Sequence, residues 1–312
     1  MAIDKIMNVD INSIDKIIGI SKANLSKFMV MIDGQAAGKS YIFGGHHWPA
    51  GQVFLRDTDE YDPDSWTSKT DIPLPARDRM AASTISSKGY IFGGFDSVDA
   101  FQDTDEYDPD SWTSKTNMTL KRYIFAATTL SDKGYTFCGN DDGSIVRDTD
   151  EYDPDTWTNK TDCPLPARDH LAGTAILSKG YIFGGAPWPI TDNDEYTPDS
   201  WASKTNVPAP SRYWHTALTI DDKGYSCCGW DHSSYMQDMD EYDPDTWTSK
   251  TDAPAPARNM FAAVGFASKG YALCGASSGG RLLDTDEYDP DTWTSKTDAP
   301  TPARNNLTAT GI

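Results

Sequence analysis

Asp57-Thr58-Asp59-Glu60-Tyr61-Asp62-Pro63-Asp64-Ser65-Trp66 returns near the end of the chain as Asp284-Thr285-Asp286-Glu287-Tyr288-Asp289-Pro290-Asp291-Thr292-Trp293. Four further copies lie between them. Their tyrosines are Tyr61, Tyr107, Tyr152, Tyr196, Tyr242 and Tyr288, at spacings of 46, 45, 44, 46 and 46 residues. So steady a period marks a stack of equal supersecondary units. One copy cannot bury its own apolar faces, so the units must pack on each other.

Each unit contains four extended pieces. The first follows an arginine, as in Met80-Ala81-Ala82-Ser83-Thr84-Ile85. The second runs from a Gly-Tyr pair to a Gly-Gly pair, as in Gly89-Tyr90-Ile91-Phe92-Gly93-Gly94. Both are nearly unbroken in small or apolar residues, as expected of strands covered on both faces. The third is the Asp-Thr-Asp-Glu-Tyr piece, closed by an Asp-Pro-Asp turn. The fourth, Trp66-Thr67-Ser68-Lys69-Thr70, alternates and is polar, which suits an outermost strand whose lysine discourages edge pairing. Pro-rich linkers such as Pro73-Leu74-Pro75-Ala76-Arg77 lead onward.

Four short antiparallel strands, six times, predict an all-β six-bladed β-propeller. The order Gly-Gly, Tyr, Trp, then Arg before the next strand resembles the kelch repeat, from Lys39 to the C-terminus. Cys-Gly at Cys138, Cys228 and Cys274, and a short Tyr-to-Trp turn, depart from that pattern. Arg-led strands begin at Arg77, Arg122, Arg168, Arg212, Arg258 and Arg304, but the first Gly-Gly strand, from Tyr41, precedes them all. The C-terminal piece Arg304–Ile312 is therefore expected to close the ring beside Tyr41–Gly45. The expected division is residues 1–34 as an attachment or oligomerisation segment and 35–312 as the propeller.

Net charge is −20. Acidic excess argues against nucleic acid and against an anionic membrane surface. The first residues, Met1-Ala2-Ile3-Asp4-Lys5, lack a secretion signal's basic start and apolar run. Of the five cysteines, Cys138, Cys228 and Cys274 read as small buried thiols, because equivalent positions in different units are separated by whole sheets. Residues 1–34 carry three 11-residue phrases, with apolar pairs at 6/7, 17/18 and 28/29. As a helix they make a stripe of period 11/3 that favours oligomeric packing; as strands they fit the β-branched residues. Docking on the propeller as extra strands is a further reading. The phrases resemble repeats of tailed-bacteriophage structural proteins.

The copies differ in two places: the loop after Gly-Gly, and the residues just after each arginine. In a four-stranded blade both emerge at the same end, so the variable text should form one face. All five histidines, His46, His47, His170, His215 and His232, fall there, as do Trp48, Trp188, Trp214 and Trp230. Loops on a rigid scaffold are where binding is built, and aromatic rings give contact area at low entropic cost. The expected ligand-binding residues are His47, Trp48, Phe95, Trp188, Tyr213, Trp214, His215, Trp230, His232 and Tyr235; plugging of the channel mouth is the alternative for the tryptophans. No spacing defines a metal site or cofactor, and no nucleophile–base pair or set of paired carboxylates suggests catalysis. Calcium on the acidic repeat strands stays open. The expectation is a non-enzymatic binding protein of a virion surface or tail fibre, extracellular, recognising a host glycan or protein and held to other virion proteins or to its own copies by residues 1–34. A cytoplasmic kelch scaffold for protein partners, or an enzyme on the same face, are the alternatives.

Overall fold

The computed structural model describes residues 38–48, 52–62, 64–187, 190–266 and 268–312. Lys39–Ile312 forms one compact unit. Residues 1–34, with their repeated phrases, and Trp188 lie outside the described residues.

Six four-stranded antiparallel sheets form the blades of a β-propeller, with no helix among the described residues. In the second blade the strands are Ala81–Ile85, Lys88–Phe92, Thr104–Asp108 and Ser111–Ser114, in that order from axis to rim. The Arg-led strands are innermost, and each touches its two neighbours around a closed circle. The first blade takes its innermost strand, Thr308–Gly311, from the C-terminus; it pairs with Ser40–Phe43 in the register Tyr41↔Thr310 and Phe43↔Thr308. The closure expected from the strand count is present.

The core is divided among the seams between blades, where six apolar clusters lie. Each seam sets the second-strand tyrosine of one blade against the Glu-Tyr tyrosine of the next. The ring centroids are 5.1 Å apart for Tyr41 and Tyr107, and 5.4 Å for Tyr271 and Tyr61. The outer-strand tryptophan covers the seam. Trp112 packs edge-on to Phe43 of the preceding blade at 5.3 Å, and its indole N–H donates to the Thr70 carbonyl at 2.9 Å. The second Asp of the Asp-Pro-Asp turn also reaches across: Asp110 accepts the Thr70 N–H at 2.8 Å. The turn is thus a staple between blades as well as a reversal of the chain.

The acidic repeat is consumed internally. Glu60 accepts from Tyr41 at 2.6 Å and from Lys39 at 2.7 Å. Burial opposes its ionisation, but these hydrogen bonds and the lysine charges outweigh that, and its pKa is lowered. Asp59, on the other face of the strand, pairs with Arg304 at 3.1 Å. Alternation splits the two carboxylates, and among the described residues no group of three or more acidic, His or Cys side chains is placed to hold a metal.

Deleting Arg304–Ile312 removes the inner strand of the first blade and uncovers Tyr41–Phe43. The truncated chain is expected to aggregate or to lose cooperative thermal unfolding; a melting curve like that of the full chain would refute closure as a source of stability.

Candidate functional site

The two variable stretches pair with each other in every blade. The residue after each arginine bridges to the residue after the second glycine: Asp78 to Phe95, Tyr123 to Asn140, Asp169 to Ala186, Tyr213 to Trp230, Asn259 to Ala276 and Asn305 to His46. The next residue, two after the arginine, joins a circle around the axis. The N–H of Ile124 donates to Arg79, His170 to Ile124, Trp214 to His170, Met260 to Trp214, Asn306 to Met260, and Arg79 back to Asn306, at 2.8–3.2 Å. All six residues have positive φ, between 51° and 55°. Non-glycine residues pay for that conformation, and the closed circle of hydrogen bonds holds them in it. The result is a collar with six different side chains on six equivalent backbones.

Around the collar the aromatic residues fall into groups. Phe95 stacks on Tyr123 at 4.8 Å, with the Arg79 guanidinium over Phe95 at 5.4 Å. Tyr213 meets Trp214 at 4.8 Å and His232 at 6.4 Å, while His170 lies edge-on to Trp214 at 5.1 Å. In the fifth blade the strands Lys223–Trp230 and Tyr235–Asp243 run on past a bulge and onto the variable face, so that Trp230 and Tyr235 pair at 4.8 Å. A cleft of about 170 Å³ opens beside them, walled by Trp214, Trp230 and Tyr235 and by Asn259, Arg281 and Asn305, with Met260 and Ala276 completing its lining.

Two small hairpins extend the face: His46–His47 with Val53–Phe54, and Ala276–Ser277 with Gly280–Arg281. His46 is buried and bonds to the Asp78 carboxylate at 2.6 Å through Nδ1, while the Arg281 NH2 group lies 3.2 Å from its Nε2. A guanidinium only donates, so Nε2 accepts and Nδ1 carries the proton to Asp78. Because Nε2 faces a guanidinium and not a hydroxyl or thiol, His46 is not arranged as the base of a nucleophile–His–Asp set. His47 bonds the Ala303 carbonyl through Nδ1 at 2.8 Å, and Trp48 is 55% exposed with Arg281 over its ring at 5.5 Å.

Of the residues expected to bind, Trp214, Trp230 and Tyr235 share the cleft, and His47, Trp48, Phe95, Tyr213 and His232 stand elsewhere on the same face. His215 sits lower. It is 7% exposed, and its ring packs over Gly184. It fills the position three after the arginine that holds Met80, Phe125, Leu171, Phe261 and Leu307 in the other blades, all buried. His215 and the exposed His232 therefore do not converge on one ion. Sequence reasoning passed over Arg281, Asn259, Met260 and Asn305 as cleft residues.

Burial, and then the Arg212 charge, push the His215 pKa from 6.5 down to about 3. The folded protein keeps the ring neutral while the unfolded chain protonates it below about pH 6.5. Stability is thus lost as pH falls from about 6.5 towards 3, by at most ~1.4 kcal/mol per pH unit. His215→Phe removes this loss and is expected to raise Tm more at pH 5 than at pH 7.5. Equal shifts at the two pH values would show that His215 titrates alike in both states.

No protein-family model and no curated protein matches the chain. Among solved structures, one titled "Structure of YjhT" matches with a TM-score of 0.67 at 14% identity, over 78% of this chain and 91% of that chain. At that identity the likeness is one of fold, a β-propeller.

Proposed function

We propose that this is a non-enzymatic recognition protein: a kelch-like propeller that binds a host-surface glycan or protein through its variable face and is carried on a virion surface or tail fibre by its N-terminal segment. The carrying observation is the sorting of variation. The seam residues are nearly the same in every blade, so a ligand contacting them would meet six equivalent sites. The collar and hairpins present a different residue at each blade, and they surround an aromatic-walled cleft. A single specific ligand needs that asymmetry.

The kelch reading is supported by the roles of its signature positions, since Gly-Gly, Tyr, Trp and Arg all serve the seams between blades. The virion reading rests on the phrases within residues 1–34. A face built on a rigid ring suits terminal sugars, whose flat apolar sides stack on aromatic rings while their hydroxyls find the polar rim.

Host-cell and glycan-array binding by Trp230→Ala and Trp214→Ala, with melting curves, tests the face. Loss of about 2 kcal/mol of binding, roughly thirtyfold, is expected for a ring at a hot spot, with Tm nearly unchanged. Trp247→Ala is expected to do the reverse: its indole bonds the Thr205 carbonyl at 2.9 Å and covers a seam, so stability falls by ~2 kcal/mol or more and binding stays. Intact binding in both face variants would make Trp214 and Trp230 channel plugs.

Removal of residues 1–34 tests the second half of the proposal. The closed ring is self-sufficient, so the shortened protein is expected to be a soluble monomer by light scattering. Equal masses for the long and short chains would end the assembly role.

A further inference from the structure

Arg281 stands out in a chain with 47 acidic residues and net charge −20. Like Arg56 and Arg147, which donate to backbone carbonyls, it makes no salt bridge among the described residues, but it lines the cleft, whereas Arg79 on the same face lies 3.8 Å from the Asp78 carboxylate and Lys121 3.1 Å from that of Asp142. Its partners are neutral: Nε donates to the Asn305 side-chain oxygen at 3.2 Å, and NH2 donates to His46 Nε2 at 3.2 Å. The same hairpin position holds Phe54, Ala100, Ile145 and Tyr235 in four other blades, with no charge. Behind Arg281, His46 is anchored to Asp78, which is fully buried and also accepts from Asn306 at 3.3 Å. The guanidinium is thus held in place by a buried relay while most of its five N–H groups are left for a ligand.

A second group lines the same cleft. Asn259 is 2% exposed, and its side-chain oxygen has no hydrogen-bond partner. An unbonded buried acceptor is costly unless something donates to it, so a donor reaching it from the cleft would be favoured. The walls between these two polar groups are Trp214, Trp230 and Tyr235. At about 170 Å³, the cleft is below the range of roughly 300–1,000 Å³ that holds drug-sized ligands. It has room for about one ring with its substituents.

Resting on the binding-face reading, we infer that this cleft takes an acidic sugar of a glycan, a pyranose bearing a carboxylate or a sulfate. Arg281 pairs with the anion, Asn259 accepts a ring hydroxyl, the aromatic walls cover the ring face, and Asp78 and His46 position Arg281. A guanidinium fork takes either anion through paired N–H groups.

The test is titration of the full chain with glucuronate, galacturonate and glucose 6-sulfate against the neutral parents glucose and galactose, followed by intrinsic tryptophan fluorescence and calorimetry at low ionic strength. At least one acidic sugar is expected to bind about tenfold or more tighter than its parent; whether the uronates or the sulfate leads identifies the anion. Arg281→Gln should bring acid and parent within about twofold of each other at unchanged Tm, and Arg281→Lys should restore part of the difference. Asp78→Asn should lower the acid-to-neutral ratio with Arg281 still present, a change in selectivity that a purely structural role would not produce. Neutral sugars binding as well as acidic ones, or a preference that survives Arg281→Gln, overturns the inference. So does the absence of any titration up to about 50 mM. If cell binding still depends on Trp230 in those cases, the acidic-sugar inference falls alone. If Trp214→Ala and Trp230→Ala also bind cells normally, the face reading falls with it.

Discussion

One arginine per seam sets the geometry of the ring, because its two ends serve different blades. The carbonyl of Arg122 accepts the N–H of Gly94 in the second blade at 2.9 Å, and its guanidinium pairs with Asp150 in the third. Arg212 does the same with Gly185 and Asp240, at 3.2 and 2.8 Å. The six arginines are at most 2% exposed. A buried ion pair adds little net stability over an apolar substitute, yet losing one partner costs about 3–5 kcal/mol. Its effect here is on alignment: only one docking of blade on blade satisfies both ends. The close approach explains the glycines. A Cβ at Gly44 would lie 2.7 Å from the Arg77 carbonyl, and the second glycine of each pair has φ between 96° and 111°, which side chains rarely adopt. Cys138, Cys228 and Cys274 take the first position at φ of 56–61°, a strained but permitted conformation.

Fixing the arginine also fixes the course of the chain beyond it. Two residues on, the backbone turns left-handed and enters the collar, whose backbone hydrogen bonds do not depend on side-chain type. Arg79, Ile124, His170, Trp214, Met260 and Asn306 occupy equivalent places there. Backbone bonding carries the shape, which frees the side chains to differ. A repeat protein that must recognise one ligand gains its asymmetry in this way without disturbing its seams.

The period, the count of strands and the ring closure were legible in the sequence because they depend on spacing alone. So was the sharing of one face by the two variable stretches, since antiparallel order dictates it. Other features were hidden for definite reasons. The seam arginines read only as markers, because an ion pair between residues some 28 apart, and a carbonyl contact to the preceding blade, join groups whose pairing no local pattern shows. His215 was grouped with the face by its position near Trp214; alignment with Met80, Phe125 and Leu171 was the signal that it points inward. Arg281 gave no sign in the sequence, since what marks it is its place on the cleft with only neutral partners, a matter of position in space.

Much of the chain's acidity lies away from Arg281. Glu60 and its five counterparts accept from a tyrosine and a lysine within their own blades. The exposed carboxylates Asp62, Asp108, Asp153, Asp243 and Asp289 end the third strands, at the turns that lead to the outer strands. Antiparallel order puts those turns at the opposite end of the blade from the collar and its hairpins. A strand of five residues spans roughly 17 Å, about twice the Debye length of ~8 Å at physiological ionic strength. The field of those turns is therefore largely screened before it reaches the cleft, and the nearer carboxylates are those of the variable end, such as Asp231 on the loop between Trp230 and Tyr235. Raising the ionic strength at that site weakens an exposed pair more than a buried one, so the depth at which the guanidinium is held, on His46 and Asn305 and beside Trp48, decides how much of its attraction survives in salt.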